Sequence, residues 1–212
     1  MTDSQRPSDY PDWLSALARL IYKLAGWHVE GGPPNLPKFL TIGAPHTSNW
    51  DGIHMLLLST SLGIRMYWLG KHTLFKPPLG ILTRAANGIP VNRQSTKNAV
   101  EQVVETFNER ERFVLIIAPE GTRKKVDHWR TGFYYIAQGA KVPIVLTYVD
   151  YQRKRVGMGP VIMPSGDIEA DFEIFRAFYA DKVGRHPEKM GTVALSPQEK
   201  RRVTRAAKSK ES

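Results

Sequence analysis

A histidine and an aspartate stand five residues apart in the segment A-P-H-T-S-N-W-D, as His46 and Asp51. Histidine is the side chain whose ordinary pKa suits proton transfer near neutral pH. A carboxylate close to it can keep one ring nitrogen protonated and leave the other free as a base. The pair therefore indicates a general base with its orienting acid, although Asp51 would also suit the N-cap of a helix.

The residues on both sides of this pair predict the elements that position it. Residues 38–44 form an apolar run that predicts a buried strand, and residues 52–62 have the apolar spacing of a helix. A strand that is followed by a helix beginning near Asp51 places both side chains at the carboxyl end of the strand. Open α/β sheets carry their sites at that end.

Further apolar segments predict strands at residues 65–70, 88–91 and 113–118. Each is followed by a polar or basic residue close to glycine or proline: Lys71, Arg93, and Glu120 with Arg123. Because the carboxyl ends of parallel strands share one edge of a sheet, we expect these residues near His46. Guanidinium groups bind phosphate in a bidentate way, so the set predicts a base facing a phosphate pocket.

Strands that alternate with helices predict an α/β fold: a single domain with a mostly parallel central sheet flanked by helices. Residues 142–149 and 153–163 predict its last strands, and Asp167 caps a last core helix. We divide the chain into a disordered N-terminus (residues 1–11), an amphipathic helix (12–30), the α/β domain (31–195) and a basic C-terminal helix or tail (196–212). The tail begins at a capping box, Ser196 to Glu199.

The N-terminal helix, capped by Asp12, has two interpretations. Its apolar residues recur at helical spacing, with basic residues on the other side: Trp13, Leu14, Leu17, Leu20, Ile21 and Leu24, against Arg19 and Lys23. Such a helix packs on the core, or it lies in a bilayer interface with Trp13, Tyr22 and Trp27 at the headgroups. The basic tail is either solvated or adds attraction to an anionic membrane surface.

Composition narrows the classes of function. With 30 basic and 20 acidic residues, the net charge of +10 favours anionic partners such as phospholipid surfaces, phosphate-bearing substrates or nucleic acid. The chain has no cysteine, which excludes disulfides, thiolate metal sites and a cysteine nucleophile. Its histidines lack metal-ligand spacing, so no metal site is predicted. Without a signal peptide or a long apolar window, we expect a cytoplasmic protein, peripheral on the inner face of the cell membrane.

Four motifs in a fixed order link the chain to a known family. They are the His46-x-x-x-x-Asp51 block, the segment Gly88 to Arg93, the complete Pro-Glu-Gly-Thr-Arg block (Pro119 to Arg123), and Val142-Pro143-Ile144. The Gly-Lys-x-x-Leu-Phe stretch at residues 70–75 also matches the family pattern. Over residues 36–150 the sequence resembles the lysophosphatidate (1-acylglycerol-3-phosphate) acyltransferase family of glycerolipid acyltransferases.

This resemblance implies an O-acyltransferase of phospholipid biosynthesis that moves a fatty acyl group from a thioester to the hydroxyl of a lysophospholipid. His46 would be the general base and Asp51 its partner, and no covalent intermediate or cofactor is needed. The implied substrate-binding residues are Lys71, Arg93, Glu120, Gly121, Thr122 and Arg123, with Gly121 and Thr122 also shaping a turn. The donor would be acyl-CoA or acyl carrier protein, and the partners are the lysophospholipid and an anionic membrane surface, with no nucleic acid.

Two departures from the family pattern leave alternatives open. Pro45 stands where the family has Asn, and Asn92 replaces an acidic residue, so another acceptor such as a lyso-aminolipid fits the same chemistry. Glu120 contacts the acceptor or braces its loop, and Phe133, Tyr134 and Tyr135 belong to the core or to an acyl-chain wall. Ser48 is a weaker candidate nucleophile. A non-catalytic basic module that binds membranes or nucleic acid would explain the charge but not the motifs.

Overall fold

The computed structural model describes residues 7–91 and 99–208. Its helices are α1 (Asp12–Leu24), α2 (Trp50–Ser61), α3 (Leu79–Ala85), α4 (Ala99–Glu109), α5 (Gly132–Ala140), α6 (Ile168–Tyr179) and α7 (Pro197–Lys208), with 3-10 turns at His72–Phe75 and Pro187–Lys189. Its strands are β1 (His28–Glu30), β2 (Lys38–Ala44), β3 (Met66–Lys71), β4 (Gly88–Val91), β5 (Phe113–Ile117), β6 (Ile144–Asp150) and β7 (Arg155–Ile162).

The described strands form one seven-stranded sheet in the order β1-β7-β6-β2-β5-β3-β4. Strands β6, β2, β5, β3 and β4 are parallel, β7 runs antiparallel to β6, and β1 pairs with β7. The predicted fold class, a mostly parallel sheet flanked by helices, is confirmed. Strand β2 is the fourth of these seven strands, so its carboxyl end opens at the centre of the sheet edge.

The sheet buries apolar side chains on both faces, which explains why β2 and β5 read as unbroken apolar runs. One face packs beneath α5 and α6, where Phe133, Phe172 and Phe175 lie together with Trp129. The other face holds a smaller cluster: Phe39, Ile64, Met66, Val114, Val145 and Met158. Burial on both sides fixes the central strands and therefore the loops that follow them.

One local prediction was wrong. Asp12 does not cap α1, because the helix begins at Asp12 after Pro11 and has no side-chain cap. The described residues 7–11 are hydrogen-bonded: the N–H of Asp9 donates to the carbonyl of Gly63 over 2.7 Å, and its carboxylate lies 2.9 Å from Arg112. Strand β1 was not predicted, since three residues carry too little periodicity.

Helix α1 turns its predicted apolar stripe to the outside. Its buried residues are Ser15, Ala18 and Tyr22, which face α2, and the Tyr22 hydroxyl donates to the carbonyl of His54 over 2.8 Å. The stripe is exposed, to 68% at Trp13 and 79% at Leu24. Tyr22 and Trp27, in contrast, lie inward and stack near the ring of His54. Among the described helices, none combines the length and the apolar character that crossing a membrane would require.

Helix α7 docks on α5 through one carboxylate. The capping box begins as predicted, because the N–H of Glu199 donates to Oγ of Ser196 over 3.1 Å. The Glu199 side chain then accepts a hydrogen bond from the hydroxyl of Tyr135 on α5. The guanidinium of Arg202 lies 4.8 Å from the centre of the same ring. The described part of the basic tail is therefore a packed helix with exposed basic residues.

Candidate active site

His46 and Asp51 meet in the loop between β2 and α2. Nδ1 of His46 lies 3.2 Å from Oδ2 of Asp51. The aspartate side chain is only 5% exposed, whereas that of His46 is 27% exposed. A carboxylate that accepts from the Nδ1 proton fixes the imidazole tautomer, so Nε2 is left unprotonated and can accept a proton.

The Asp51 carboxylate is held from three sides. Oδ2 also accepts the backbone N–H groups of Thr47 and Ser48 at 2.7 and 2.8 Å, and Oδ1 accepts the hydroxyl of Tyr151 at 2.8 Å. Burial alone would raise the pKa of Asp51, but the hydrogen bonds from His46, Ser48, Tyr151 and Thr47 together bring that pKa below its ordinary value. Asp51 stays ionised, and it is not the N-cap of α2, a position that Asn49 occupies.

Glu120 lies in the loop after β5 and contacts the loop between β2 and α2 that carries His46, called here the histidine loop. Its side chain is buried, and Oε1 accepts the backbone N–H of His46 over 2.9 Å. Burial raises the pKa of Glu120, and the hydrogen bond from His46 offsets part of that rise. The sequence left open whether Glu120 contacts the acceptor or braces its loop, and this contact supports the bracing role.

The turn after Glu120 needs glycine. Gly121 has φ +64°, a left-handed conformation, and a Cβ there would come within 2.7 Å of the Arg130 side chain. The turn presents Thr122 and Arg123 toward the histidine loop. The Arg123 guanidinium donates to Oδ1 of Asn49, which ties the two loops together.

A cavity of about 880 Å³ opens beside His46 and Asp51. Its walls are mostly apolar: Ala44, Ile53, Met55, Leu56, Met66, Trp68, Leu69, Ile116, Ile117, Phe133, Ile136 and Val149. Polar groups gather at one side, where Thr122, Arg123 and Arg130 join the histidine. Phe133 is both buried in the core and part of the cavity wall, whereas Tyr134 is a core residue that donates to Asp171 over 2.8 Å.

Two of the remaining candidate residues, Lys71 and Ser48, do not line this cavity as described. Lys71 ends β3 as an exposed residue and does not line the described cavity beside His46. Arg93 and Asn92 lie outside the described residues. Ser48 uses its hydroxyl oxygen to accept the N–H of Trp50 over 3.2 Å. Within residues 7–91 and 99–208, no group of three His, Asp or Glu side chains has the geometry of a metal site.

Two parts of the site are not predicted by the sequence patterns. Tyr151 follows β6 and reaches Asp51 from a hundred residues away in the chain. The segment after α6 also packs on the histidine loop: the N–H of His186 donates to Oγ1 of Thr47 over 3.1 Å, and a Cβ at Gly184 would come within 2.9 Å of the same atom. The adjacency of Tyr151 to the buried strand β6 was the available signal, because sites gather where parallel strands end.

The fold and the site together place a histidine in contact with an aspartate at the edge of a parallel sheet, beside an apolar cavity. A model of the Acyltransferase family matches residues 33–149, more than half of the chain, so the chain belongs to this family and is an O-acyltransferase. The resemblance drawn from the four motifs is confirmed at the level of the family. No curated protein matches the chain in a sequence search.

Solved structures support the same fold. The crystal structure of PlsC from Thermotoga maritima, a 1-acyl-sn-glycerophosphate (LPA) acyltransferase, superposes with a TM-score of 0.55 at 18% sequence identity. The match covers 78% of this chain and 74% of that chain. At this identity the likeness concerns the fold.

Proposed function

We propose that this enzyme transfers a fatty acyl group from a thioester donor, acyl-CoA or acyl carrier protein, to the free hydroxyl of a lysophospholipid such as 1-acylglycerol 3-phosphate. The observation that carries the proposal is the contact of 3.2 Å between Nδ1 of His46 and Oδ2 of Asp51, at the mouth of an apolar cavity. Membership of the Acyltransferase family supports the reaction type, and the PlsC fold supports a glycerolipid acceptor.

The chemistry follows from the tautomer that Asp51 imposes. Nε2 of His46 accepts the proton of the acceptor hydroxyl while the oxygen attacks the thioester carbonyl. Asp51 stabilises the imidazolium that forms. When the C–S bond breaks, the imidazolium returns the proton to the leaving thiolate, so the products are an ester and a free thiol. General-base assistance of this kind contributes about 10²–10⁴-fold to the rate.

The cavity is suited to the acyl chain. A volume of about 880 Å³ is large enough for a fatty chain, and its walls are apolar side chains from β2, α2, β5 and α5. Burying a methylene group is worth about 0.8 kcal/mol, so a chain of several carbons is held mainly by this wall. An acyl chain bound in the cavity would place its thioester carbonyl next to His46, which lies at the mouth of the cavity.

A membrane contact fits the outside of the same region. Besides the stripe on α1, helix α2 exposes Trp50, Ile53 and Leu56, and α3 exposes Leu79, Ile81 and Leu82. Ile53 and Leu56 also line the cavity, so the exposed apolar side chains of α2 reach the cavity wall. An enzyme peripheral on the inner face of the cell membrane, attracted by its net charge of +10, would take its acceptor directly from the lipid.

The acceptor is tested by supplying the purified protein with acyl-CoA or acyl carrier protein and a panel of acceptors. The panel contains lysophosphatidate, a lyso-aminolipid, monoacylglycerol and no lipid, and thioester consumption is followed with mass spectrometry of the products. We expect consumption with lysophosphatidate and an esterified phosphatidate as product. Consumption with the lyso-aminolipid alone would favour the second acceptor, which the replacement at Asn92 motivates. Absence of thioester consumption with every acceptor would refute the proposal.

A further inference from the structure

An aromatic cluster formed by Tyr22, Trp27, His54 and Tyr151 lies next to the Asp51 carboxylate. The ring centre of Trp27 is 5.2 Å from that of Tyr151, and the two planes are nearly perpendicular. The ring of His54 lies 5.4 Å from Tyr151 in the same edge-on arrangement. Trp27 and His54 are themselves 4.1 Å apart. Two packed rings therefore contact the ring whose hydroxyl binds Asp51.

The position of Trp27 is set by the turn between α1 and β1. Gly26 adopts a left-handed φ of +74°, which allows the chain to reverse after α1. The N–H of Trp27 then donates to the carbonyl of Tyr22 over 2.8 Å, and the N–H of His28 donates to the carbonyl of Lys154 over 2.9 Å. The backbone at Trp27 is thus held between α1 and the turn that joins β6 to β7.

The backbone of Tyr151 is anchored, but the direction of its ring depends on its neighbours. The N–H of Tyr151 donates to the carbonyl of Val183 over 2.9 Å, which fixes the main chain at the end of β6. The side chain still has a choice of staggered rotamers about its first torsion angle. Edge-to-face contacts between rings are attractive, so Trp27 and His54 favour the rotamer in which the hydroxyl reaches Asp51.

We propose that Trp27 is a positioning residue for acyl transfer: with His54 it fixes the ring of Tyr151, so that the Tyr151 hydroxyl holds the Asp51 carboxylate beside His46. The inference rests on the proposed function, in which His46 and Asp51 carry the reaction. Trp27 does not line the described cavity beside His46, so it acts through Tyr151 and not on a substrate. Trp27 and Tyr151 both lie outside the stretch that the family model matches, so the shared motifs do not predict this role.

The kinetic test uses Trp27→Leu, which removes the aromatic ring, and Trp27→Phe, which keeps one. Octanoyl-CoA and 1-hexanoylglycerol 3-phosphate serve as soluble substrates without vesicles, so that membrane attachment does not affect the rate. We expect Trp27→Leu to lower kcat with both KM values unchanged, and Trp27→Phe to retain most of kcat. Because Trp27 acts through Tyr151, the loss should not exceed that of Tyr151→Phe. In the Tyr151→Phe background, Trp27→Leu should lower kcat no further.

Tyr67→Leu is the matched control. Tyr67 is also a half-buried aromatic residue, its ring centre is 5.2 Å from that of Phe113, and it does not line the described cavity. The control should lose stability and keep kcat. Three kinetic outcomes would overturn the proposal: an unchanged kcat in Trp27→Leu, an equal fall in the control, or a further fall of the same size in the Tyr151→Phe background.

Urea unfolding at pH 7 separates this inference from the proposed function, because it needs no turnover. If Trp27 holds the Tyr151 hydroxyl on Asp51, then Tyr151→Phe costs less unfolding free energy in the Trp27→Leu background than in the wild type. A smaller cost supports the inference even where lysophosphatidate is not acylated. An equal cost in both backgrounds would show that the hydrogen bond persists without Trp27 and would refute the inference.

Discussion

The hydroxyl of Tyr151 donates a hydrogen bond to Oδ1 of Asp51 over 2.8 Å. The other carboxylate oxygen lies next to His46, so Tyr151 fixes the carboxylate that contacts the histidine. In the proposed reaction Tyr151 is a positioning residue, because it acts through Asp51. The hydroxyl itself is kept protonated, since burial and the Asp51 carboxylate raise the pKa of Tyr151 well above its ordinary value.

Replacing Tyr151 with phenylalanine should lower kcat and leave both KM values unchanged, because Asp51 then orients the imidazole less well; the loss should be well below the about 10²–10⁴-fold that a complete general base contributes. The variant should also be about 1.5–3 kcal/mol less stable at neutral pH, the usual contribution of a hydrogen bond to a charged group. A carboxyl group whose pKa is lowered by folding contributes stability at pH values above its pKa in the unfolded chain, near 4. This contribution is lost as the pH falls through the pKa of the folded protein. The stability gap between wild type and variant should therefore shrink as the pH falls below about 4.

Tyr148→Phe is the matched control for this prediction. Its hydroxyl also donates to a carboxylate, that of Glu30 on β1, away from the site. The control should lose stability but keep kcat. If both variants lowered kcat alike, the effect of Tyr151 would be general loss of structure, which would contradict its positioning role.

Glu120→Gln should show the opposite dependence on pH. Burial raises the pKa of Glu120, so the carboxyl contributes most below its unfolded pKa, near pH 4, and that contribution is lost as the pH rises through the folded value. A glutamine keeps an oxygen that can accept the N–H of His46 but carries no charge.

Urea unfolding between pH 4 and pH 8 checks this prediction. The variant should match the wild type near pH 4 and become more stable than it as the pH rises. A variant that is least stable, relative to wild type, at pH 8 would show that the ionised carboxylate stabilises the fold, contrary to the account.

Membrane attachment should depend on the outer face of α1. The double variant Leu17→Glu/Ile21→Glu places charge on two exposed apolar residues, which are 44% and 45% exposed. We expect binding to anionic phospholipid vesicles to fall at least tenfold, because apolar burial worth about 1.5–3 kcal/mol per side chain is replaced by charge. Cosedimentation with vesicles is the measurement.

Asn108→Glu/Gln198→Glu adds the same two negative charges on exposed residues of α4 and α7. It should weaken vesicle binding only slightly. An equal loss in both variants would show that net charge, and not the apolar face of α1, controls attachment.

The sequence predicted the parts of the site that lie within a few residues of a strand end. The positions of His46 and Asp51 follow from the apolar segments on either side of them. The turn at Gly121 follows from its residue type, because glycine favours a left-handed backbone. Both signals are local in the sequence. Tyr151 could not be assigned its role, because its contact with Asp51 depends on β6 lying next to β2 in the sheet. Periodicity revealed the stripe of α1 but not its direction, since an apolar face looks the same toward a core or toward lipid. The segment around His186 carries no motif and contacts the histidine loop only through the tertiary fold.

The most direct measurement of the central claim is the rate of thioester consumption by wild type and His46→Ala with lysophosphatidate as acceptor. The two proteins should have the same circular dichroism spectrum, because the His46 side chain is partly exposed at the loop surface. We expect kcat/KM of the variant to fall by about 10²–10⁴-fold, the usual contribution of a general base. A folded His46→Ala protein that consumes the thioester at the wild-type rate would contradict the proposed role of His46.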